Sequence, residues 1–162
     1  MKKIFLIILF IVTGLTLSAQ EKNGRIKIQL GPEFTVGLFA DGYSTGLGFH
    51  ITYYHEVAKG GSIAGSTGYA SWNIKEGVGT GSAGMVLGRF GYRQFVTEGL
   101  YVQADAGIGL GEKNFTGRTR FVMDGGLGYL FATKKKARLD ISGRVNRGFN
   151  RTWIGLGLGV QF

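Results

Sequence analysis

Apolar and polar side chains alternate along most of this chain. The clearest stretch is Thr152 to Phe162, TWIGLGLGVQF. Ile154, Leu156, Leu158, Val160 and Phe162 fall on one face of a strand, and Gly155, Gly157, Gly159 and Gln161 on the other. Seven earlier segments repeat the pattern: 25–38, 44–57, 62–72, 81–96, 100–110, 120–131 and 138–146. Their apolar faces carry Leu30 and Phe34, then Phe49 and Ile51, Phe90 and Tyr92, Val102 and Ile108, Leu127 and Tyr129, and Ile141. The third segment is the weakest, with Ile63, Thr67 and Tyr69 on its outer face. Pro32 sits inside the first and predicts a bulge or a gap in the ladder. Lys59-Gly60-Gly61, Thr97-Glu98-Gly99 and Lys134-Lys135-Lys136 mark turns.

A soluble sheet with so continuous a greasy face needs a second layer to cover it, and no helical segment after the first twenty residues supplies one. Lipid covers it instead. A tilted strand needs about 9–11 residues to cross the hydrocarbon. The pattern therefore predicts an all-β fold: an eight-stranded antiparallel transmembrane β-barrel, an up-and-down meander closed by its first and last strands. The fold alternative is a soluble lipocalin-like barrel, with the apolar face inside. Aromatics near the strand ends and the terminal Phe162 argue against it.

The start of the chain has a different character. Lys2 and Lys3 precede an unbroken apolar run from Ile4 to Val12, and Leu17-Ser18-Ala19 offers small residues before Gln20. This reads as a secretory signal peptide over residues 1–19, with the barrel domain over 20–162. The run is too short for a helical span of about 20 residues. Cysteine is absent, so an exported domain of this size needs stability from something other than disulfides. A closed barrel provides it. Glycine is abundant at 30 residues, but 12 Phe, 7 Tyr and 2 Trp at strand spacing exclude a disordered chain. The net charge of +9 points to lipid phosphates, since an exported chain rarely meets nucleic acid; solvated turn residues are the alternative.

The face opposite the apolar one carries the charges: Glu33, then His50 and Glu56, Arg89 and Arg93, Gln103 and Asp105, Arg120 and Asp124, and Asp140 and Arg144. A barrel of eight strands has an interior just wide enough for side chains to fill. Buried charges must be paired. Glu33, Arg89, Arg93, Asp105, Arg120, Asp124, Asp140 and Arg144 are therefore expected to form one paired lattice that plugs the lumen, with inward glycines leaving room for the long arginines.

With its alternating strands, short turns and closing aromatic, the chain resembles the small eight-stranded outer-membrane β-barrel proteins of Gram-negative bacteria, of the OmpA/OmpX type. The resemblance implies an outer-membrane location. It also implies that Leu156, Leu158, Val160 and Phe162 form the assembly signal read by the outer-membrane insertion machinery. Lys75, Lys113, Arg118, Arg147 and Arg151 lie in or beside the longer loops, which would face the cell exterior. They are candidate contacts for lipopolysaccharide phosphates.

Other motifs weigh less. Gly79-Thr80-Gly81-Ser82-Ala83-Gly84 fits the dinucleotide pattern but leads into a strand, where that chemistry needs a helix. His50 and His55 point to opposite faces, and no metal or other cofactor is expected. His50, Thr52 and an orienting Glu33 or Glu56 sketch a lipid A deacylase, yet on the lumen side. Asn114-Phe115-Thr116 and Asn150-Arg151-Thr152 match a glycosylation pattern of little weight in a bacterial protein. The expected function is thus a non-catalytic, structural or envelope-integrity role. A narrow small-solute channel and a lipid A-modifying enzyme are the competing readings.

Overall fold

The computed structural model describes residues 24–112, 119–131, 137–148 and 151–162. The signal-peptide segment, the Lys134–Lys136 turn, the first glycosylation pattern, Asn150 of the second, Lys113 and Arg118 lie outside the described residues. Eight strands form a closed barrel in sequence order: β1 (Gly24–Val36), β2 (Tyr43–Ala58), β3 (Gly61–Ile74), β4 (Ser82–Phe95), β5 (Leu100–Gly111), β6 (Thr119–Phe131), β7 (Arg138–Gly148) and β8 (Arg151–Gln161). All pairings are antiparallel, and β1 closes the ring on β8, with Ile28 opposite Val160 and Phe34 opposite Ile154. No described helix is long and apolar enough to cross a membrane.

β1 begins and β8 ends at one mouth of the barrel, which also carries the tight turns after β2 and β4. The opposite mouth carries the connections after β1, β3, β5 and β7. Gly60, at φ +74°, makes the turn after β2 in the left-handed region that glycine enters without a Cβ penalty. Pairing between β1 and β8 skips Gly31 and Pro32, between Leu30–Leu158 and Glu33–Gly155. This is the ladder gap that Pro32 predicts, since proline has no N–H to donate.

Two departures from the sequence expectation shape the loop mouth and the third strand. The first strand stops at Val36 and does not reach Leu38. Gly37, at φ +60°, turns the chain into a short helix, α1 (Leu38–Gly42). Five residues are too few for helix propensity to hold such a turn. Phe39, buried inside the loop mouth, anchors it. β3 is the second difference. It runs 14 residues and pairs along both edges, despite the weak outer-face signal.

The outer wall is the predicted apolar face. Leu30, Leu47, Phe90, Leu127, Ile141 and Leu158 all stand exposed on it. Tyr92, Tyr129, Phe131 and Phe162 project near the termini mouth, and Phe34 and Phe121 near the loop mouth. An apolar band with aromatics at both rims suits hydrocarbon between two polar interfaces.

Candidate functional site

The lumen is filled in three layers. At the loop mouth the filling is apolar. Phe39 meets Trp72 at a ring-centroid distance of 5.2 Å and Trp153 at 6.2 Å, and the two tryptophans meet each other at 5.4 Å, all edge to face. Ala70, Ala83, Met85, Leu87 and Val122 complete this cluster. The inward face therefore carries large apolar side chains as well as charges and glycines, an arrangement the sequence reading did not anticipate.

The middle layer is polar, and Arg89 on β4 is its hub. Its Nη1 donates to Asp124 Oδ2 on β6 at 2.6 Å and to Asn146 Oδ1 on β7 at 3.2 Å. Its Nη2 donates to His50 Nδ1 on β2 at 3.1 Å. That leaves His50 Nε2 to carry the hydrogen and donate to Glu33 Oε1 on β1 at 3.3 Å. Arg144 on β7 donates to the same Glu33 oxygen at 3.4 Å. Arg144, Glu33, His50, Arg89 and Asp124 thus form one chain of contacts that ties together five of the eight strands. The space left at the centre is about 20 Å³, room for about one water.

The third layer lies toward the termini mouth. Lys27 on β1 reaches Asp140 Oδ1 on β7 at 3.3 Å, and the Tyr101 hydroxyl donates to the other oxygen of Asp140 at 2.7 Å. Tyr54 donates to Gln103 at 2.9 Å, and Gln103 donates to Asp105 at 2.7 Å. The Arg93 guanidinium stacks over the Tyr54 ring, 3.5 Å from its centroid, and donates to Gln161 Oε1 at 2.7 Å.

Of the eight charges expected in one lattice, the structure joins Glu33, Arg89, Asp124 and Arg144. Asp140 pairs separately, with Lys27. Asp105 stands directly opposite Asp124 and is held by Gln103, not by an arginine. Arg93 is buried yet takes aromatic faces and an amide oxygen in place of a carboxylate. Arg120 is half-buried nearer the loops, opposite Gly109. A single lattice is therefore the wrong description. Alternation fixes which way a side chain points, but pairing also depends on its height along the barrel. Lys27, Gln29, Tyr54, Tyr101 and Asn146 are lumen residues that the sequence expectation does not name. All share the inward parity of the charged positions, which was the available signal.

Inward glycines do make room, though largely for neighbours other than arginine. A Cβ on Gly48 or Gly155 would overlap the Glu33 carboxylate, one on Gly68 the His50 ring, and one on Gly157 the Gln29 amide. A side chain at position 157 therefore requires Gln29 to move. Gln29 fills that space and donates to Ser142 at 3.0 Å.

The loop-side cations are placed differently from one another. Lys75 and Arg147 are exposed. Arg151 is half-buried, its guanidinium 5.3 Å from the ring centroids of both Phe39 and Tyr43. At the end of β8, Phe162 stays in the ladder, its N–H donating to Ile26 O and its carbonyl accepting from Ile26 N–H. Leu156, Leu158, Val160 and Phe162 project outward. The glycine-rich motif at 79–84 runs into β4, with no helix behind it. Among the described residues, no group of three or more His, Cys, Asp or Glu is placed to hold a metal ion.

A closed eight-stranded meander with an apolar outer wall and a side-chain-filled interior is the architecture of the small transmembrane β-barrels. Solved structures share it. Neisserial surface protein A superposes with a TM-score of 0.58 at 14% identity, over 85% of this chain and 95% of that one. The attachment invasion locus protein Ail of Yersinia pestis gives 0.55 at 19% identity, over 86% of this chain and 99% of that one. A designed transmembrane β-barrel gives 0.55 at 11%, over 88% and 98%. The fold is that of the small eight-stranded outer-membrane barrels. No family model and no curated protein matches the sequence.

Proposed function

We propose that the protein is a non-catalytic barrel of the bacterial outer membrane, exported by a cleaved segment over residues 1–19, with a structural role in envelope integrity. The filled lumen carries this reading. An ion or solute entering at the loop mouth meets the Phe39–Trp72–Trp153 cluster. Below that lie the ion-paired residues around Arg89, with space for about one water. Reading the sequence as non-catalytic is supported by His50. Both its ring nitrogens are engaged inside the barrel, by Glu33 and Arg89, far from the rim where a lipid bond would be presented. In this reading Leu156, Leu158, Val160 and Phe162 guide assembly by the insertion machinery. Lys75 and Arg147, with Arg151, Lys113 and Arg118, meet lipopolysaccharide phosphates.

Planar-bilayer recording tests it. The refolded protein should show no steady unitary conductance. Large, steady conductance from the unmodified protein would overturn the plugged-lumen reading and put the small-solute channel in its place. A changed lipid A acylation profile on expression would put the lipid-modifying enzyme there.

A further inference from the structure

The buried cations of this barrel differ in one respect. Lys27 reaches Asp140 and Arg89 reaches Asp124, but among the described residues Arg93 has no carboxylate partner. It is no surface group, at 2% exposure. Its guanidinium lies on Tyr54, with Phe95 and Tyr101 rings at 4.9 and 5.3 Å. Aromatic faces stabilise a desolvated cation, but by well short of what a buried charge loses on leaving water. The buried acids of this layer are already engaged: Asp140 by Lys27 and Tyr101, and Asp105 by Gln103. One nitrogen of the fork is spent on Gln161, while Nε is buried with no hydrogen-bond partner at all.

Arg93 also lines a recess of about 310 Å³ that opens at the termini mouth. Arg25 and Arg138 stand exposed on its rim, and Tyr54 and Phe95 form an aromatic wall. Glu56 and Glu98 also reach the rim, but both are exposed, and no ion pair ties either to these arginines. The recess thus has a buried cation at its floor, two arginines and two glutamates at its entrance, and an apolar side. Its volume is that of about ten waters, enough for a tetrahedral oxyanion and a few carbon atoms.

We propose that Arg93, with Arg25 and Arg138, binds a phosphate group that enters from the termini mouth. The planar fork of arginine matches phosphate oxygens, and three arginines suit a group of more than one negative charge. Tyr54 and Phe95 then contact the carbon side of a phosphate ester. The phosphate could belong to a small soluble ester or to the headgroup of a phospholipid in the adjoining leaflet. The chemistry at Arg93 is the same for both.

Side-chain ¹⁵N NMR of the protein refolded in non-ionic micelles tests the proposal. Glycerol phosphate is titrated in one arm, and phosphatidylglycerol is doped into the micelles in the other. Sodium chloride at matched ionic strength is the reference. The Arg93 Nε–H resonance is assigned by its loss in Arg93→Lys, or through its contact with Gln161 if that variant does not fold. The expected result is a saturable shift of this resonance in at least one arm, weakened several-fold in Arg138→Gln. A shift with glycerol phosphate indicates a soluble ester, and one with phosphatidylglycerol alone indicates a headgroup. No shift in either arm, an equal shift with chloride, or unchanged affinity in Arg138→Gln overturns the site. Conductance plays no part in this readout, so an empty site would leave the plugged-lumen reading standing.

Discussion

Arg89 and Asp124 meet across the lumen at 2.6 Å, joining β4 to β6 over the top of the intervening strand. Neither side chain has more than 4% of its surface exposed. Arg89 also holds His50 and Asn146, so one guanidinium orders three contacts in all.

Removing one member of such a pair strands the other. Asp124→Ala should destabilise the barrel by about 3–5 kcal/mol where desolvation is complete, and by less where lumen water reaches Arg89. Glu112→Ala, which loses only an exposed contact to Tyr69, should cost no more than about 0.5 kcal/mol. Urea unfolding in detergent micelles measures both. Equal costs would mean the Arg89 pair contributes no more than a surface contact.

The outward and inward positions of β8 fail for different reasons. Leu156→Arg places a charge in hydrocarbon and should cost roughly 2–4 kcal/mol near the midplane. Gly157→Ala points the other way and drives a methyl group into the Gln29 amide. Its cost should be largely relieved in the double variant Gly157→Ala, Gln29→Ala, because the clash lies with one flexible side chain. Additive costs in that cycle would show that the strain lies in the backbone and not in Gln29.

The sequence revealed the strands because lipid and lumen demand opposite chemistry from alternate residues. Ile154, Leu156 and Leu158 against Gly155 and Gly157 show this directly. The apolar layer was hidden by the same logic. Trp153 shares the parity of Gly155, and Trp72 that of Ala70, but greasy side chains were assigned to lipid. Parity read without regard to chemistry would have placed both tryptophans inside. Arg93 shows the second limit. Its direction was legible, but its neighbours Tyr54 and Gln161 come from β2 and β8, and only the strand stagger brings them to its height. The helix carrying Phe39 was too short to leave a periodic signal.

Because the chain's 2 Trp both lie in the loop-mouth cluster, their fluorescence reports on it alone. Emission from the folded protein should be blue-shifted. Phe39→Ala opens a void beside both rings, and should red-shift the emission and cost about 3–5 kcal/mol if the site does not collapse. An unchanged spectrum would mean that Phe39 does not seal this mouth. The ion-paired layer beneath is separate, so conductance should stay low in this variant.

Phe162 tests the proposed role of the final strand. In the folded barrel its backbone pairs with Ile26 and its ring projects outward, 54% exposed. Phe162→Asp keeps the backbone pairing possible while placing a charge at the outer rim. Near an interface such a charge costs only about 0–1 kcal/mol, too little to unfold an assembled barrel. A purely structural role thus predicts near-normal amounts of folded protein. A role in recognition by the insertion machinery predicts a severe loss in the cell, while the same variant refolds in detergent as the unmodified protein does. Heat-shift gels of membrane fractions and of refolded protein separate the two. Equal amounts of variant and unmodified barrel in the membrane would remove Phe162 from the assembly signal.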